Sequence, residues 1–378
     1  MASPTTLFNN LVKKEENCYI DAVSKAYLWM EVVLGLNRLV FSLKIKPIFI
    51  LLASAYSIFC CAIVFYDAFF FYPLFMDRLD IGLDSVHYLL GVILSSIVWK
   101  RLQHYYLRLQ DFDTTIGCRP KISSSSVKNL ILMCIAVSLT ILVVPYEWYT
   151  FDQLVGSLML LPVHLLFLID IHFYGHLLSL LVPRLRLINY YMKMSLSHHS
   201  KVVVPKIVEL TFKSVILESQ NCQMKKLMDL YCMIINAYDI LIDAIKWQFV
   251  MVLTALFISI LTFSYKTALM KPFYNVAIES SFHCIRLFPL FAPCIFADQI
   301  QEEVRRLREL LASRLYENKL NKPGRSVARA LLSLTEARDL SFSLLQIFDI
   351  DISLPFKFMG LLLTYLIILL QFEKVINP

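Results

Sequence analysis

Seven apolar runs, each long enough to cross a lipid bilayer, constrain this chain more than any other feature of its sequence. They cover residues 48–72, 81–99, 130–148, 154–182, 247–270, 276–297 and 354–372. A helix of about 20 apolar residues spans the hydrocarbon core, where only helices and closed barrels satisfy their own backbone hydrogen bonds. The runs are continuous and do not alternate in hydrophobicity, which disfavours a barrel. The sequence therefore predicts an all-α polytopic membrane protein with seven transmembrane helices.

The distribution of Lys and Arg gives these helices a direction. The segments 1–46, 100–128, 183–246 and 298–351 contain 30 of the 36 Lys and Arg residues, and Arg286 and Lys357 lie within the runs. The other connectors and the tail contain four, when Lys266 near the end of the fifth run is counted with the connector that follows it. Because cytoplasmic loops are enriched in Lys and Arg, we expect a cytosolic N-terminus and an extracellular C-terminus. This orientation argues against a G-protein-coupled receptor. The loops also account for the net charge of +7, so we expect no nucleic-acid partner.

The longer polar segments are predicted to be helical. In 183–246, five apolar residues recur at spacings of three and four and share one helical face: Leu227, Leu230, Ile234, Ala237 and Leu241. This stretch either packs on other cytoplasmic helices or extends the fifth span inward. Segment 298–351 is predicted to hold two amphipathic helices, separated by a break at Pro323-Gly324, with the second running from about 326 to 348. Pro289 and Pro293 are expected to bend the sixth span.

These features divide the chain into six predicted regions. Two are cytosolic helical segments, two hold the first six spans, and the remaining two are the N-terminal segment and the last span with its tail. In order they are a cytosolic segment (1–46), spans one to four (47–182), a cytosolic extension (183–246), spans five and six (247–297), cytosolic anchor helices (298–351), and span seven with a short extracellular tail (352–378).

The last apolar run carries three polar-capable residues, Thr364, Tyr365 and Gln371. Thr364, Ile368 and Gln371 stand at i, i+4 and i+7, so they share one helical face. A buried amide in lipid costs free energy unless it is paired or hydrated. We therefore expect this face to lie against protein or water.

The ending Thr364-Tyr365, five apolar residues, Gln371-Phe372 resembles the TYhhhhhQF signature of insect gustatory receptors. The chain length, the inverted seven-span topology and the short outer C-terminus are also similar to that family. The resemblance implies a plasma-membrane, ligand-gated, non-selective cation channel of chemosensory neurons. It further implies a tetramer in which the last helix lines the pore, with Thr364, Ile368 and Gln371 as the predicted lining. Its implied partners are a small-molecule tastant, membrane lipid, and further copies of the chain or related receptors.

One position bears on the ligand class. Sugar receptors of this family commonly carry Glu after the Thr-Tyr pair, and this chain has Leu366 there. We therefore favour a bitter-type ligand, with fructose-type and orphan interpretations open.

The resemblance also implies a ligand pocket in the outer half of each subunit. The polar and aromatic side chains predicted there are His87, Tyr88, Trp148, His164, Phe263, Tyr265, Glu279, His283 and Arg286. Glu279, His283 and Arg286 stand at i, i+4 and i+7, and ionisable groups inside membrane helices often mark functional sites. A Glu–Arg pair that only fixes helix packing, and an interfacial aromatic belt, are the alternative interpretations.

Other chemistries receive little support. His172 and His176 stand at i, i+4 near Asp170, but no third strong ligand accompanies them, so no metal or other cofactor is expected. No catalytic motif is present, so the protein is not expected to be an enzyme. Two alternatives remain: an odorant-receptor-like channel, and a small-molecule transporter. A transporter commonly shows internal repeats, and this sequence shows none, although Pro162 interrupts one span.

Overall fold

The computed structural model is almost entirely helical. It describes residues 20–34, 75–117, 124–146, 151–194, 220–270, 283–317, 320–344 and 348–376, with helical positions 52, 55–59, 61–63 and 66. The helices are α1 (Ala22–Val33), α2 (Phe75–Ile116), α3 (Ser124–Tyr146), α4 (Phe151–Ser179), α5 (Val182–Met194), α6 (Gln220–Met270), α7 (Phe291–Tyr316), α8 (Lys322–Ala337) and α9 (Leu354–Ile376). Strands β1 (Ser343–Leu344) and β2 (Phe348–Asp349) form an antiparallel hairpin. Much of the predicted first span lies outside the described residues.

Several described helices have the length and composition of membrane spans. Three segments meet both criteria: Ser124–Leu142, Leu161–Lys193 and Met224–Ser264. The segment Leu354–Ile368 is a shorter apolar helix. These four segments overlap the predicted third, fourth, fifth and seventh spans, and the one on α6 begins 23 residues before its span. In the sixth, residues 283–287 are helical and a 3-10 turn that contains Pro289, Phe288–Leu290, leads into α7.

Helix α4 lies at the centre of the bundle. From Val163 to Ser179 every side chain except that of His164 is buried. The helix packs against α1, α2, α3, α6 and α7. Gly175 permits the approach of α7, because a Cβ atom there would lie 3.2 Å from the Ala292 Cβ and the Pro293 backbone nitrogen. Helix α3, by contrast, exposes a row of aliphatic side chains, as a lipid-facing helix does. They include Ile131, Leu132, Ile135, Leu139 and Leu142.

Helices α2 and α6 are both far longer than a bilayer requires. Each continues past its predicted span, and the two pack against each other. The Arg101 guanidinium on α2 donates a hydrogen bond to the Asp243 carbonyl of α6 at 2.6 Å. All five residues of the predicted apolar face in the cytosolic extension are buried: Leu227, Leu230, Ile234, Ala237 and Leu241. Residues 220–246 of the extension are therefore the first half of one helix that also contains the fifth span, and they pack on other helices as well.

The predicted second amphipathic helix, from about 326 to 348, was wrong at both ends. Helix α8 begins at Lys322, because the Asn321 side chain accepts a hydrogen bond from the Gly324 backbone N–H and Pro323 fits the first turn. The Pro323-Gly324 pair therefore starts this helix and does not break it. The helix ends at Ala337, and the chain then turns into the β1–β2 hairpin, closed by the Ile350 N–H donating to the Phe342 carbonyl.

Four helical segments that lie largely outside the predicted spans form one packed unit: α5, α7, α8 and the first half of α6. Two buried carboxylates, one on α2 and one on α7, hold α5 in place. Asp113 of α2 accepts two hydrogen bonds from Arg184 of α5, at 2.9 and 2.6 Å. Glu303 of α7 accepts from Arg186 and Asn189 of α5, at 2.9 and 3.0 Å. A buried carboxylate needs such partners to be tolerated, so these contacts fix α5 between α2 and α7.

Candidate functional site

A connected group of largely buried side chains crosses the bundle between α2, α4, α6 and the 283–287 segment. Four predicted ligand-binding residues belong to it: His87, Phe263, His283 and Arg286. The other members are Phe167, Asp170 and Ser259. We call these seven residues the intramembrane cluster. Because they come from four distant parts of the sequence, the tertiary fold is what assembles them.

Arg286 is the charged centre of the intramembrane cluster. It is 1% exposed, and its Nη1 donates a hydrogen bond to the Ser259 hydroxyl at 2.9 Å. Its Cζ lies 4.7 Å from the centre of the Phe167 ring, a cation–π distance. The hydroxyl and the ring replace part of the hydration that a guanidinium loses at membrane depth.

Phe167 also links Arg286, through His87, to Asp170, which lies on α4 with Phe167. The His87 ring meets the Phe167 ring edge-on, with centroids 6.3 Å apart. The His87 Nε2 lies 3.7 Å from the Asp170 carboxylate, which is fully buried. One chain of contacts therefore runs from the basic Arg286 through Phe167 and His87 to the acidic Asp170.

The Phe263 and His283 rings form the remaining contact in the intramembrane cluster. Their centroids lie 4.4 Å apart and the rings are stacked at 29°. Phe263 follows Ser259 by one turn on α6, and His283 precedes Arg286 by one turn. The pairs Phe263–His283 and Ser259–Arg286 are thus two successive layers of one helix–helix interface.

Other predicted ligand-binding residues have different positions. Tyr88 is buried, but its hydroxyl donates to the Leu34 carbonyl at the end of α1, at 2.7 Å. His164 is half-buried on α4, one turn before Phe167. Trp148, Glu279 and the Tyr265 side chain lie outside the described residues.

Sequence reasoning missed three members of the intramembrane cluster. Asp170 carried a usable signal, because a carboxylate inside an apolar run is costly and calls for a partner. In the sequence Asp170 stands beside His172 and His176, and this proximity draws attention to metal binding and not to a charge partner. Phe167 and Ser259 carried no signal, since an aromatic ring and a hydroxyl are ordinary residues in such helices.

The predicted pore-lining face of α9 is not covered by the chain's own described helices. Thr364, Ile368 and Gln371 are exposed, and Thr364 Oγ1 donates back to the Gly360 carbonyl at 2.9 Å. The Phe372 backbone belongs to α9, and its side chain lies outside the described residues.

The opposite side of α9 packs on α6. Leu354, Phe358 and Leu362 are buried. Phe257 of α6 meets Phe358 and Tyr365 edge-on, with ring centroids 5.8 and 5.6 Å away. Helix α9 therefore has one face committed to its own chain and one face open.

His172 and His176 make hydrogen-bonding contacts that join α4 to its neighbours. His172 Nδ1 lies 2.8 Å from the Asn129 side-chain oxygen of α3. His176 Nε2 lies 2.9 Å from the Ser24 hydroxyl and 3.6 Å from Asp21, both at the start of α1. Within the described ranges, no group of three side chains could hold a metal ion.

The Asp21 carboxylate is partly buried by these contacts. Burial alone would raise the pKa of Asp21. His176 and the hydroxyl and backbone N–H of Ser24 outweigh that effect and lower the pKa from 3.8 to about 2. The carboxylate therefore stays ionised at physiological pH and ties α1 to α4.

A bundle of membrane-length helices, with an ionisable cluster buried between them and long helical extensions on one side, defines a polytopic helical membrane protein. The chain matches the model of the 7tm chemosensory receptor family over residues 32–376. It therefore belongs to this family, which includes the insect gustatory and olfactory receptors.

Solved structures show the same fold. The olfactory receptor OR5 from Machilis hrabei in complex with eugenol is 15% identical, with a TM-score of 0.58, over 85% of this chain and 90% of that chain. A second structure of olfactory receptor OR5 from Machilis hrabei gives a TM-score of 0.56 at 15% identity, over 85% of this chain and 89% of that chain. No curated protein sequence matches the chain significantly.

Proposed function

We propose that this protein is a gustatory receptor that acts as a tastant-gated, non-selective cation channel built from four copies of the chain. The observation that carries the proposal is the open face of α9. Thr364, Ile368 and Gln371 are exposed along one line while the other side of the helix packs on α6. Polar groups on an apolar membrane helix need water or protein beside them. A central pore shared with other subunits supplies both.

The three residues suit distinct parts of such a pore. A ring of four Ile368 side chains makes a hydrophobic constriction that closes by expelling water. A ring of Gln371 amides and a ring of Thr364 hydroxyls line the pore with polar but uncharged groups. Such rings replace part of the hydration of a cation without strong selectivity between cations.

The intramembrane cluster is the proposed ligand site of this channel. Its stacked and cation–π contacts, Phe263–His283 and Arg286–Phe167, offer flat aromatic surfaces beside hydrogen-bonding groups. Asp170 and Arg286 supply opposite charges, which suits a neutral ligand better than an ion. A bitter-type ligand is favoured because Leu366 stands where sugar receptors of the family carry Glu.

The packed helical unit of α5, α7, α8 and the first half of α6 is the proposed cytosolic anchor between subunits. In this arrangement the channel lies in the plasma membrane of chemosensory neurons. It works as a homotetramer or together with related receptors, and lipid surrounds its outer helices.

An odorant-receptor-like channel is the second candidate, because the similar solved structures are olfactory receptors. The Thr364-Tyr365 and Gln371-Phe372 ending favours the gustatory type. Responses to volatile odorants, without responses to non-volatile tastants, would reverse this preference.

The test is a panel of bitter compounds, sugars and volatiles applied to cells that express the protein without added G proteins. We expect a ligand-evoked cation current. Ligand uptake without current would instead indicate a transporter.

Gln371→Ala tests the pore-lining role and should change unitary conductance or the permeability ratio of two cations by at least about twofold. Leu363→Ala, at an exposed position on another side of the same helix, should change neither. An unchanged conductance and selectivity in Gln371→Ala would contradict the pore-lining role.

A further inference from the structure

Lys357 lies on the same helical face as the proposed pore residues. It precedes Thr364 by seven residues, Ile368 by eleven and Gln371 by fourteen, so all four share one side of α9. Its side chain is 57% exposed in the single chain. It is also the one Lys, Arg, Asp or Glu in the apolar run 354–372. Because it belongs to the first turn of α9, the predicted topology puts it at the cytosolic end of the pore.

A positive charge on this face conflicts with the passage of cations. Four ammonium groups around one axis repel cations that approach the cytosolic end of the pore. A nearby negative charge that offsets Lys357 would remove this conflict.

Asp351 supplies that charge. Its carboxylate lies 3.7 Å from Lys357 Nζ. The Ser353 backbone N–H and hydroxyl both donate to Asp351 Oδ1, at 3.0 and 2.6 Å. The backbone N–H of Lys357 donates to the Ser353 carbonyl at 2.9 Å. The turn before α9 therefore fixes the acid and the base relative to each other.

The hydrogen-bonding pattern also keeps Asp351 ionised. Slight burial alone would raise the pKa of the Asp351 carboxyl. Ser353, Lys357 and the backbone N–H of Leu354 outweigh that effect, so the pKa falls below its usual value. The negative charge is thus present at any physiological pH.

We propose that Asp351 and Lys357 form a charge-compensated pair at the cytosolic mouth of the pore, in which Asp351 cancels the Lys357 charge and so sustains cation conductance. This inference rests on the proposed channel function. It differs from an ordinary exposed ion pair, which adds little to stability and has no bearing on conductance.

The experiment records single channels from wild type, Asp351→Asn, Lys357→Gln and the double variant, in the full-length protein. Asp351→Asn should lower unitary cation conductance at least about twofold, most for outward current, since outward-moving cations enter at this mouth. Lys357→Gln should match or exceed the wild type. The double variant should recover conductance, because both charges are absent. The loss in Asp351→Asn should shrink as ionic strength rises, since salt screens exposed charges.

Two further variants serve as controls. Asp351→Glu keeps the charge and should conduct like the wild type. Asp239→Asn removes an exposed acid that pairs with Arg338 at 3.9 Å, away from α9, and should leave conductance unchanged. Surface labelling of every variant reports whether it folds and reaches the membrane. If Asp351→Asn fails to fold, Lys357→Glu takes its place, and it should raise outward conductance.

Some outcomes would overturn the inference while the channel itself stands. They are a wild-type conductance in Asp351→Asn, a double variant as poor as Asp351→Asn, or a lowered outward conductance in Lys357→Glu. The absence of any ligand-evoked or spontaneous current in the wild type would overturn the proposed channel together with this pair.

Discussion

Arg286 shows how a single charged residue is accommodated at membrane depth in this protein. Its guanidinium has the Ser259 hydroxyl on one side and the Phe167 ring beneath it. A planar guanidinium can donate sideways and stack on a ring at once, whereas a Lys ammonium cannot match both geometries. The geometry therefore favours Arg over Lys here for its shape as well as its charge.

Arg286→Lys should destabilise the protein by about 1–2 kcal/mol, since the cation–π contact weakens and the hydrogen bond to Ser259 lengthens. The measurement is the thermal unfolding midpoint of the purified protein in detergent. Arg305→Lys is the matched control, because Arg305 is exposed and its ion pair with Glu302 lies at the surface. Equal midpoints for wild type and Arg286→Lys would show that the stacked geometry contributes nothing.

Asp21 gives a pH-dependent prediction at the same scale. Its pKa is lowered in the folded state from 3.8 to about 2, so the ionised carboxylate stabilises the fold at pH values above its unfolded pKa. That contribution is lost as pH falls from about 4 to about 2. Asp21→Asn keeps the N-cap but removes the charge, and should cost about 2 kcal/mol at neutral pH.

The measurement is the unfolding midpoint of wild type and Asp21→Asn between pH 7 and pH 2. The difference between them should be constant down to about pH 4 and then shrink. Asp243→Asn, which removes a largely exposed partner of Lys246, should show little difference at any pH. If the difference in unfolding midpoint between wild type and Asp21→Asn stays constant to pH 2, the lowered pKa of Asp21 does not stabilise the fold.

At the scale of elements, the contact between α4 and α7 depends on a missing side chain. A Cβ atom at Gly175 would meet the Ala292 and Pro293 backbone at 3.2 Å, and backbone atoms cannot rotate away. Gly175→Ala should therefore cost about 1–3 kcal/mol through overpacking. Gly82→Ala in α2 meets nothing within 4 Å and should be neutral or stabilising by up to about 1 kcal/mol, because Ala favours a helix.

Both Gly variants are compared by thermal unfolding and by the fraction of protein that elutes as a single species in size-exclusion chromatography. A Gly175→Ala protein as stable as Gly82→Ala would show that the two helices can move apart freely.

Element types were predictable from the sequence where a long periodic pattern specified them. The apolar face from Leu227 to Leu241 predicted a packed helix, and every member of it is buried. The end of α8 was not predictable from the same rule. Its apolar periodicity continues past Ala337, but the Phe342–Ile350 hydrogen bond favours a hairpin there. A local pattern cannot show which of two backbone pairings the tertiary structure selects.

The candidate site was predictable only as a set of residues and not as an arrangement. Burial cost marked Arg286 and His87 as unusual in apolar runs. Their shared neighbour Phe167 comes from α4, far from both in sequence, so no spacing rule could connect them. The charges identify the participants, and the three-dimensional packing decides which of them meet.

At the scale of the whole molecule, the two ends of the chain have different surroundings. Helix α1 is held by its own chain, through Tyr27, which packs on His176 and Phe173 with ring centroids 5.4 and 5.6 Å away. Helix α9 has one packed and one open face. The fold within one chain therefore secures α1 but leaves one face of the last helix open, as the proposed tetramer requires.

The predicted orientation of the whole molecule, with a cytosolic N-terminus and an extracellular C-terminus, can be tested directly. The buried Asp113–Arg184 pair and the Glu303 contacts lie in the segments that the Lys and Arg distribution assigns to the cytosol. We expect an epitope fused after Pro378 to be stained by antibody on intact cells, and one fused before Met1 only after permeabilisation. Staining of both epitopes after permeabilisation controls for expression. The opposite pattern would place Lys357 and Asp351 at the outer mouth, and the rectification expected for Asp351→Asn would then change sign.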